Sequence, residues 1–280
     1  IFMSGRDRIN YNGSEGVYMK NIVITGSTRG IGLEMARVFL QSGCNVVLSG
    51  RGETMSEQAA SLHAQYSEQA LYVPCNVQKQ NDLENLWAVS SEAFGSVDCW
   101  INNAGQNAPY EYIWDTGEDA LGAVIDTNIK GMILGCQVAA RRMIAQGSGQ
   151  IWNMEGLGSN GMIQSKAVLY GMTKSALTYF SKGLAKELKD TGVLVGRLSP
   201  GMMLTDFITK APDGSPGEVY NDPHFKKVFN ILADKPETVA QFLVPRMISN
   251  TKQNASIAWL TNAKAGMRFM CAPFRKDRLI

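Results

Sequence analysis

Tyr170 and Lys174 stand four residues apart in a stretch, 169–184, that reads as helix. At that spacing both side chains leave one helix face about one turn apart. A phenol beside an ammonium makes a proton-donor pair. The positive charge favours phenolate and draws the tyrosine pKa from about 10 toward working pH. Tyr-x-x-x-Lys recurs on ordinary helix surfaces, so its meaning depends on company. The first companion is Thr25-Gly26-Ser27-Thr28-Arg29-Gly30-Ile31-Gly32, between a β-branched run and an apolar-periodic one. Its glycines permit a tight turn and close approach of a pyrophosphate to the N–H groups opening the next helix. The spacing differs from G-x-G-x-x-G, but strand before and helix after make 26–32 the expected cradle. Ser49-Gly50-Arg51 follows the second strand and holds no acid for a ribose 2′-hydroxyl. Arg29 and Arg51 suit a 2′-phosphate instead, so the expected cofactor is NADPH; the plain alternative has both arginines facing solvent. Asn102-Asn103-Ala104-Gly105 closes the fourth strand, where Asn103, Ala104 and Gly105 let a cofactor pass close to backbone. Asn76 and Val77, after strand three, would flank the adenine.

These groups need a scaffold that gathers strand ends. Apolar or β-branched runs predict strands over 20–25, 45–49, 70–74, 97–101, 150–154, 193–199 and 256–260. Helical spacing predicts helices over 31–40, 53–66, 82–94, 119–145 and 167–188. The alternation implies right-handed crossovers and a parallel sheet covered on both faces. The expected fold is therefore α/β: a single doubly wound Rossmann-type domain with a seven-stranded parallel sheet. Residues 1–19 are polar, lack the apolar stretch of a secretory signal, and are read as a disordered arm or an added segment. Residues 20–262 form the catalytic domain, with a Pro/Gly-rich excursion at 210–223 placing a lid near 202–235. Residues 263–280 are a basic apolar tail. There Lys264, Arg268, Arg275, Lys276 and Arg278 alternate with Met267, Phe269, Met270 and Phe274. Such a tail suits peripheral membrane contact or a neighbouring subunit.

The 280-residue chain carries 27 basic and 25 acidic side chains, a net +2 that argues against a nucleic-acid groove. No apolar run nears the roughly 18 residues of a membrane span. The five cysteines lack paired spacing, and Cys44, Cys75 and Cys99, in or beside strand patterns, fit buried reduced thiols and not a disulfide frame. The two histidines form no ligand-like cluster, so no metal is expected.

Taken together, the 25–32 turn, 102–105, Asn128, Tyr170-x-x-x-Lys174 and Pro200-Gly201 resemble the short-chain dehydrogenase/reductase family. The resemblance implies that Tyr170 is the general acid, that Lys174 holds the nicotinamide ribose and tunes the tyrosine, and that Asn128 holds a relay water. It extends the cofactor contacts to Pro200, Gly201, Met203 and Thr205. The family's carbonyl-orienting serine stands roughly thirteen residues before the tyrosine, where this chain has Leu157. Ser159 is the nearest hydroxyl; Ser165 is a poorer choice, and no serine at all remains open. Glu155 adds an acid nearby or caps a turn. Asn153-Met154-Glu155-Gly156-x-Gly158-Ser159, the 235–247 stretch and 100–107 are similar to the chlorophyll b reductase branch. That branch reduces the 7-formyl group of chlorophyll b to hydroxymethyl with NADPH. Gly156, Gly158 and Gly161 would leave width for a flat macrocycle. Met202, Met203, Phe207, Tyr110, Tyr112 and Trp114 would offer apolar walls, or serve as core and dimer contacts. The alternatives are a reductase of another bulky carbonyl (steroid, quinone or lipid) and a non-catalytic NADP(H)-binding scaffold. A homo-oligomer is expected by resemblance. The expected setting is cytoplasmic, or else chloroplastic and peripheral to the thylakoid.

Overall fold

The computed structural model describes residues 20–209, 222–272 and 279. The predicted arm, the 210–221 excursion and the end of the basic tail (Phe274, Arg275, Lys276, Asp277, Arg278) lie outside the described residues. The chain alternates β1 (Asn21–Ile24), α1 (Gly30–Gln41), β2 (Asn45–Gly50), α2 (Glu57–Gln65), β3 (Ala70–Pro74), α3 (Gln80–Phe94) and β4 (Cys99–Asn102). After a short 3₁₀ turn come α4 (Glu118–Ile125), α5 (Met132–Gln146), β5 (Gly149–Met154), α6 (Val168–Glu187) and β6 (Val193–Ser199). Then follow α7 (Asp206–Thr209), α8 (Pro223–Leu232), α9 (Pro236–Ile248), β7 (Ala255–Ala258) and α10 (Asn262–Cys271).

The sheet has seven strands in the order β3-β2-β1-β4-β5-β6-β7. Every pairing is parallel. Side-chain alternation along each strand feeds two cores. Ile22, Ile24, Val46, Leu48 and Trp152 pack beneath α1, α2 and α9. Val23, Val47, Trp100, Ile151 and Val195 pack beneath α3, α5 and α6. Burial on both faces accounts for strands that read as continuous apolar runs.

The structure departs from the sequence-based expectation in two places. The helix predicted over 119–145 is interrupted by a π-helical stretch, Asp126–Gly131, between α4 and α5. Apolar periodicity is blind to one wide turn. A close backbone approach accompanies it: a Cβ on Gly131 would lie 2.8 Å from Val77 Cγ2. The carboxy-terminal portion also holds α8, α9 and α10, none of which the periodicity resolved. Within the predicted tail, 262–271 is helix, opened by Thr261 accepting from the Lys264 N–H.

Candidate active site

Helix α6 turns Leu169, Thr173, Lys174, Leu177, Thr178 and Ser181 inward along one stripe. That stripe carries Lys174 to the carboxy-terminal ends of β4 and β5. Its Nζ donates to the Met154 carbonyl at 2.9 Å and lies 5.8 Å from the Tyr170 ring centroid. Burial pulls the Lys174 pKa down to about 8, with the Glu155 carboxylate opposing that fall. Burial alone pushes the Tyr170 phenol well above its ordinary value, the reverse of the fall toward working pH that the neighbouring ammonium implied in the sequence. The Tyr170 ring meets Phe207 edge-on at 5.6 Å.

Asn128 reaches the same place from the π stretch. Its Oδ1 accepts the Gln106 N–H at 2.8 Å, and its Nδ2 donates to the Gln106 carbonyl at 2.9 Å. A third bond joins Asn128 Nδ2 to Thr173 Oγ1 at 3.3 Å. A Cβ on Gly105 would stand 3.5 Å from Asn128 Oδ1 and 4.0 Å from Lys174 Nζ. Gly105, Asn128, Tyr170 and Lys174 therefore share one crevice mouth.

Ser159 is placed otherwise. Its hydroxyl donates to the Lys174 carbonyl at 3.2 Å and accepts the Gly156 N–H at 3.2 Å, stapling the loop to α6. Gly156, not Ser159, flanks the phenol: a Cβ there would lie 2.5 Å from Tyr170 Oη. Ser165 is exposed. Glu155 faces inward, its Oε1 taking the Thr178 hydroxyl at 3.0 Å and Arg197 Nη1 at 3.2 Å.

The glycine-rich turn is built from beneath by residues the motif does not advertise. Thr25 Oγ1 accepts the N–H groups of Asn103 and Ala104 at 3.0 and 3.1 Å. Asn103 Nδ2 donates to the Thr25 and Gly26 carbonyls at 3.0 and 2.8 Å. Ser27 is fully buried and spends its N–H and hydroxyl on β2 and Ile24, so it builds the turn rather than facing the crevice. A Cβ on Gly26 would strike Ala104 Cα at 2.8 Å, and one on Gly32 would strike Asn103 Nδ2 at 2.5 Å. Only glycine fits either place. Helix α1 opens with no side-chain cap and no acid in its first turn. An N-terminus left in that state fits a pyrophosphate. Thr28 carries its carbonyl to the Ser56 hydroxyl. Ile31 packs partly on the core under α1.

Arg51 is exposed just past β2, and Arg29, also largely exposed, pairs with Asp206 at 3.5 Å. Asn76 Oδ1 accepts the Gln78 N–H, and Val77 is buried under the π stretch. Gly201 takes a φ of +75° behind the buried Pro200. Thr205 lies over Gly30, whose Cβ would meet its Cγ2 at 3.6 Å. Met203 pairs with Asp234 and packs partly on the core. The 202–209 segment thus covers the turn, and Asn107 Nδ2 pins it by donating to the Phe207 carbonyl at 2.9 Å. In the loop after β4, the exposed Tyr112 and Trp114 stack at 4.7 Å, with Lys166 Nζ 5.1 Å from the Tyr112 ring centroid.

A strand-end crevice with a phosphate-ready turn and a phenol–ammonium pair can bind a dinucleotide and move a proton. Comparisons with known proteins agree with that chemistry. The short chain dehydrogenase family's sequence profile matches residues 20–215. The chain is 34% identical over 255 residues to Chlorophyll(ide) b reductase NOL, chloroplastic, of Arabidopsis thaliana, covering 88% of this chain and 71% of that protein. It is 33% identical over 277 residues to Probable chlorophyll(ide) b reductase NYC1, chloroplastic, of the same plant, covering 92% of this chain and 54% of that one. A Caenorhabditis elegans short-chain dehydrogenase/reductase of unknown function, solved with cofactor, superposes with a TM-score of 0.74 at 25% identity, covering 89% of this chain and 98% of that one. A Burkholderia cenocepacia short chain dehydrogenase in complex with NADP gives 0.73 at 23%, covering 86% and 96%, a likeness of fold.

Proposed function

This chain belongs to the short-chain dehydrogenase family, and on that premise we propose that it is an NADPH-dependent reductase of the formyl group of chlorophyll b. That it is an oxidoreductase using a nicotinamide cofactor follows from the family; the phosphorylated form and the pigment are the proposal. The observation that carries the pigment is the likeness, over most of this chain, to two plant relatives named as chlorophyll(ide) b reductases. At the site, Gly156 packs closely against the Tyr170 phenol and so helps to fix where that proton donor stands.

Bound NADPH would supply the hydride to the formyl carbon. The Gly26–Gly32 turn and the uncapped start of α1 hold the pyrophosphate, and Arg29 and Arg51 hold the 2′-phosphate. Tyr170 gives its proton to the oxygen as negative charge builds there. Lys174, protonated at neutral pH, favours the phenolate left behind and so makes the phenol a better acid. Asn128 fixes the 105–106 backbone around the site and stands where a relay water would return the proton. Ser159 serves the loop, its hydroxyl shared between the Gly156 N–H and the Lys174 carbonyl. Phe207, Tyr112 and Trp114 form apolar walls for the macrocycle.

Two further assignments belong to the same proposal. Exposed Ile125, Ile144, Val168, Met172 and Tyr179 on α4, α5 and α6 support a homo-oligomer paired through those helices. Exposed Met267, Phe269 and Met270 on α10 support peripheral contact with an anionic membrane, and the relatives' names favour a chloroplast setting over cytoplasm.

The deciding experiment incubates the purified protein with chlorophyll b and NADPH or NADH, and follows cofactor oxidation and the hydroxymethyl product. Product formation that prefers NADPH is expected. Reduction of steroids, quinones or lipid aldehydes with chlorophyll b untouched would overturn the substrate. Cofactor binding without oxidation by any carbonyl would overturn the reaction.

A further inference from the structure

We infer that Glu155 is a positioning residue for Lys174, acting from the buried side of α6 together with Thr178 and Arg197. The inference rests on the reading of Tyr170 and Lys174 as the proton-donor pair. Lys174 Nζ donates to the carbonyl of Met154, and Glu155 is the very next residue. Ammonium and carboxylate therefore flank one peptide unit at the end of β5. The Glu155 N–H anchors that unit by donating to the Leu198 carbonyl at 2.7 Å. On α6, Thr178 stands one turn past Lys174; its hydroxyl lies 3.0 Å from Glu155 Oε1 and 3.1 Å from the Lys174 carbonyl.

Purely structural use of the Glu155–Arg197 pair explains its geometry poorly. A buried ion pair adds stability only when its remaining donors and acceptors are also satisfied. Arg197 Nε is buried without a partner, and its Nη2 reaches Asn254 Oδ1 only at 3.5 Å. What the pair does accomplish is to keep a carboxylate, with side chain 6% exposed, on the residue next to the carbonyl that binds the lysine. Among the described residues, few charged and titratable groups are placed around Lys174. Tyr170 faces it from α6, Glu155 from the end of β5, and Arg197 of β6 stands behind Glu155. The π stretch and the loop after β4 present the uncharged Asn128 and Gly105. Burial disfavours the ammonium, and a neutral lysine gives the phenol no electrostatic help. Glu155 opposes that loss.

The test follows the Lys174 resonance in protein carrying ¹³Cε-lysine, assigned with Lys174→Arg, across a pH titration. The wild-type midpoint is expected at about 8. Glu155→Gln should move it down by roughly one pH unit, and Glu155→Asp should restore part of the shift. Should Glu155→Gln fail to fold, Glu155→Gln/Arg197→Met removes both buried charges and should still shift the midpoint downward. An unmoved midpoint in whichever variant folds, even with a lower melting temperature, overturns the inference. The readout is a resonance, not turnover. A wild-type protein inert to every carbonyl would sink the proton-donor reading and still leave the Glu155 question decided by the titration.

Discussion

At Gly156 an absent side chain shapes the chemistry. Its φ lies outside the left-handed region, so space, not backbone strain, demands glycine there. Gly156→Ala should push the phenol aside and lower kcat by about 10²-fold, the usual cost of misplacing a reacting group by an ångström. NADPH affinity measured by fluorescence should stay within about two-fold of wild type. Tyr170→Phe should lower kcat by at least about 10²–10⁴-fold, with cofactor affinity again retained. Undiminished turnover in that variant would remove Tyr170 from the mechanism. Tyr170 and Lys174 were legible because helical spacing alone puts them on one face. Gly156 was not, because a glycine in a glycine-rich loop reads as a turn residue. Ser159 looked available because sequence distance to the tyrosine says nothing of which backbone groups claim a hydroxyl first.

Among elements, the π stretch matters most to the crevice. It brings Asn128 to the loop after β4, where its side-chain amide accepts the Gln106 N–H and donates to the Gln106 carbonyl. Asn128→Ala leaves part-buried backbone groups of Gln106 without their side-chain partner and should cost about 1 kcal/mol in denaturant unfolding. The extra residue in that turn leaves no trace in apolar periodicity, so the sequence reads as one long helix. Helix α10 escaped notice for a different reason: its anchor is distant in sequence. Asp234 accepts from Arg268 at 2.6 and 3.0 Å and from Trp259 Nε1 at 2.7 Å. Burial works against the Asp234 carboxylate, but those hydrogen bonds prevail and hold its pKa below the ordinary value. The stability this supplies is present above the unfolded-state pKa of about 4 and is lost as pH falls through the lower folded value. Hydrogen exchange in α10 should therefore lose protection on acidification, and Asp234→Asn should show the loss already at neutral pH.

For the whole molecule, Lys174 sets a pH dependence of the same sign in a more alkaline window. Its folded pKa, about 8, lies below the model-compound value of 10.5, so between these the unfolded chain binds more protons. Stability should then rise with pH across that window. Denaturant midpoints of wild type relative to Lys174→Met should climb from pH 8 to pH 10; a constant difference would deny the buried ammonium. The parallel sheet was legible chiefly from β1 and β2, which are buried on both faces and read as near-continuous apolar runs. Residues that tie strand ends together, such as Thr25, Asn103 and Arg197, were hidden because their partners lie far along the chain. The strand order has a last consequence, for synthesis on the ribosome. β1 finds β2 almost at once, as Asn21 aligns with Asn45, but its other edge waits for Cys99 to face Ile22. Until then the nascent chain presents an unpaired central edge, a template for neighbouring chains. Slow translation before β4 would prolong that hazard, and chaperone demand should peak in this interval.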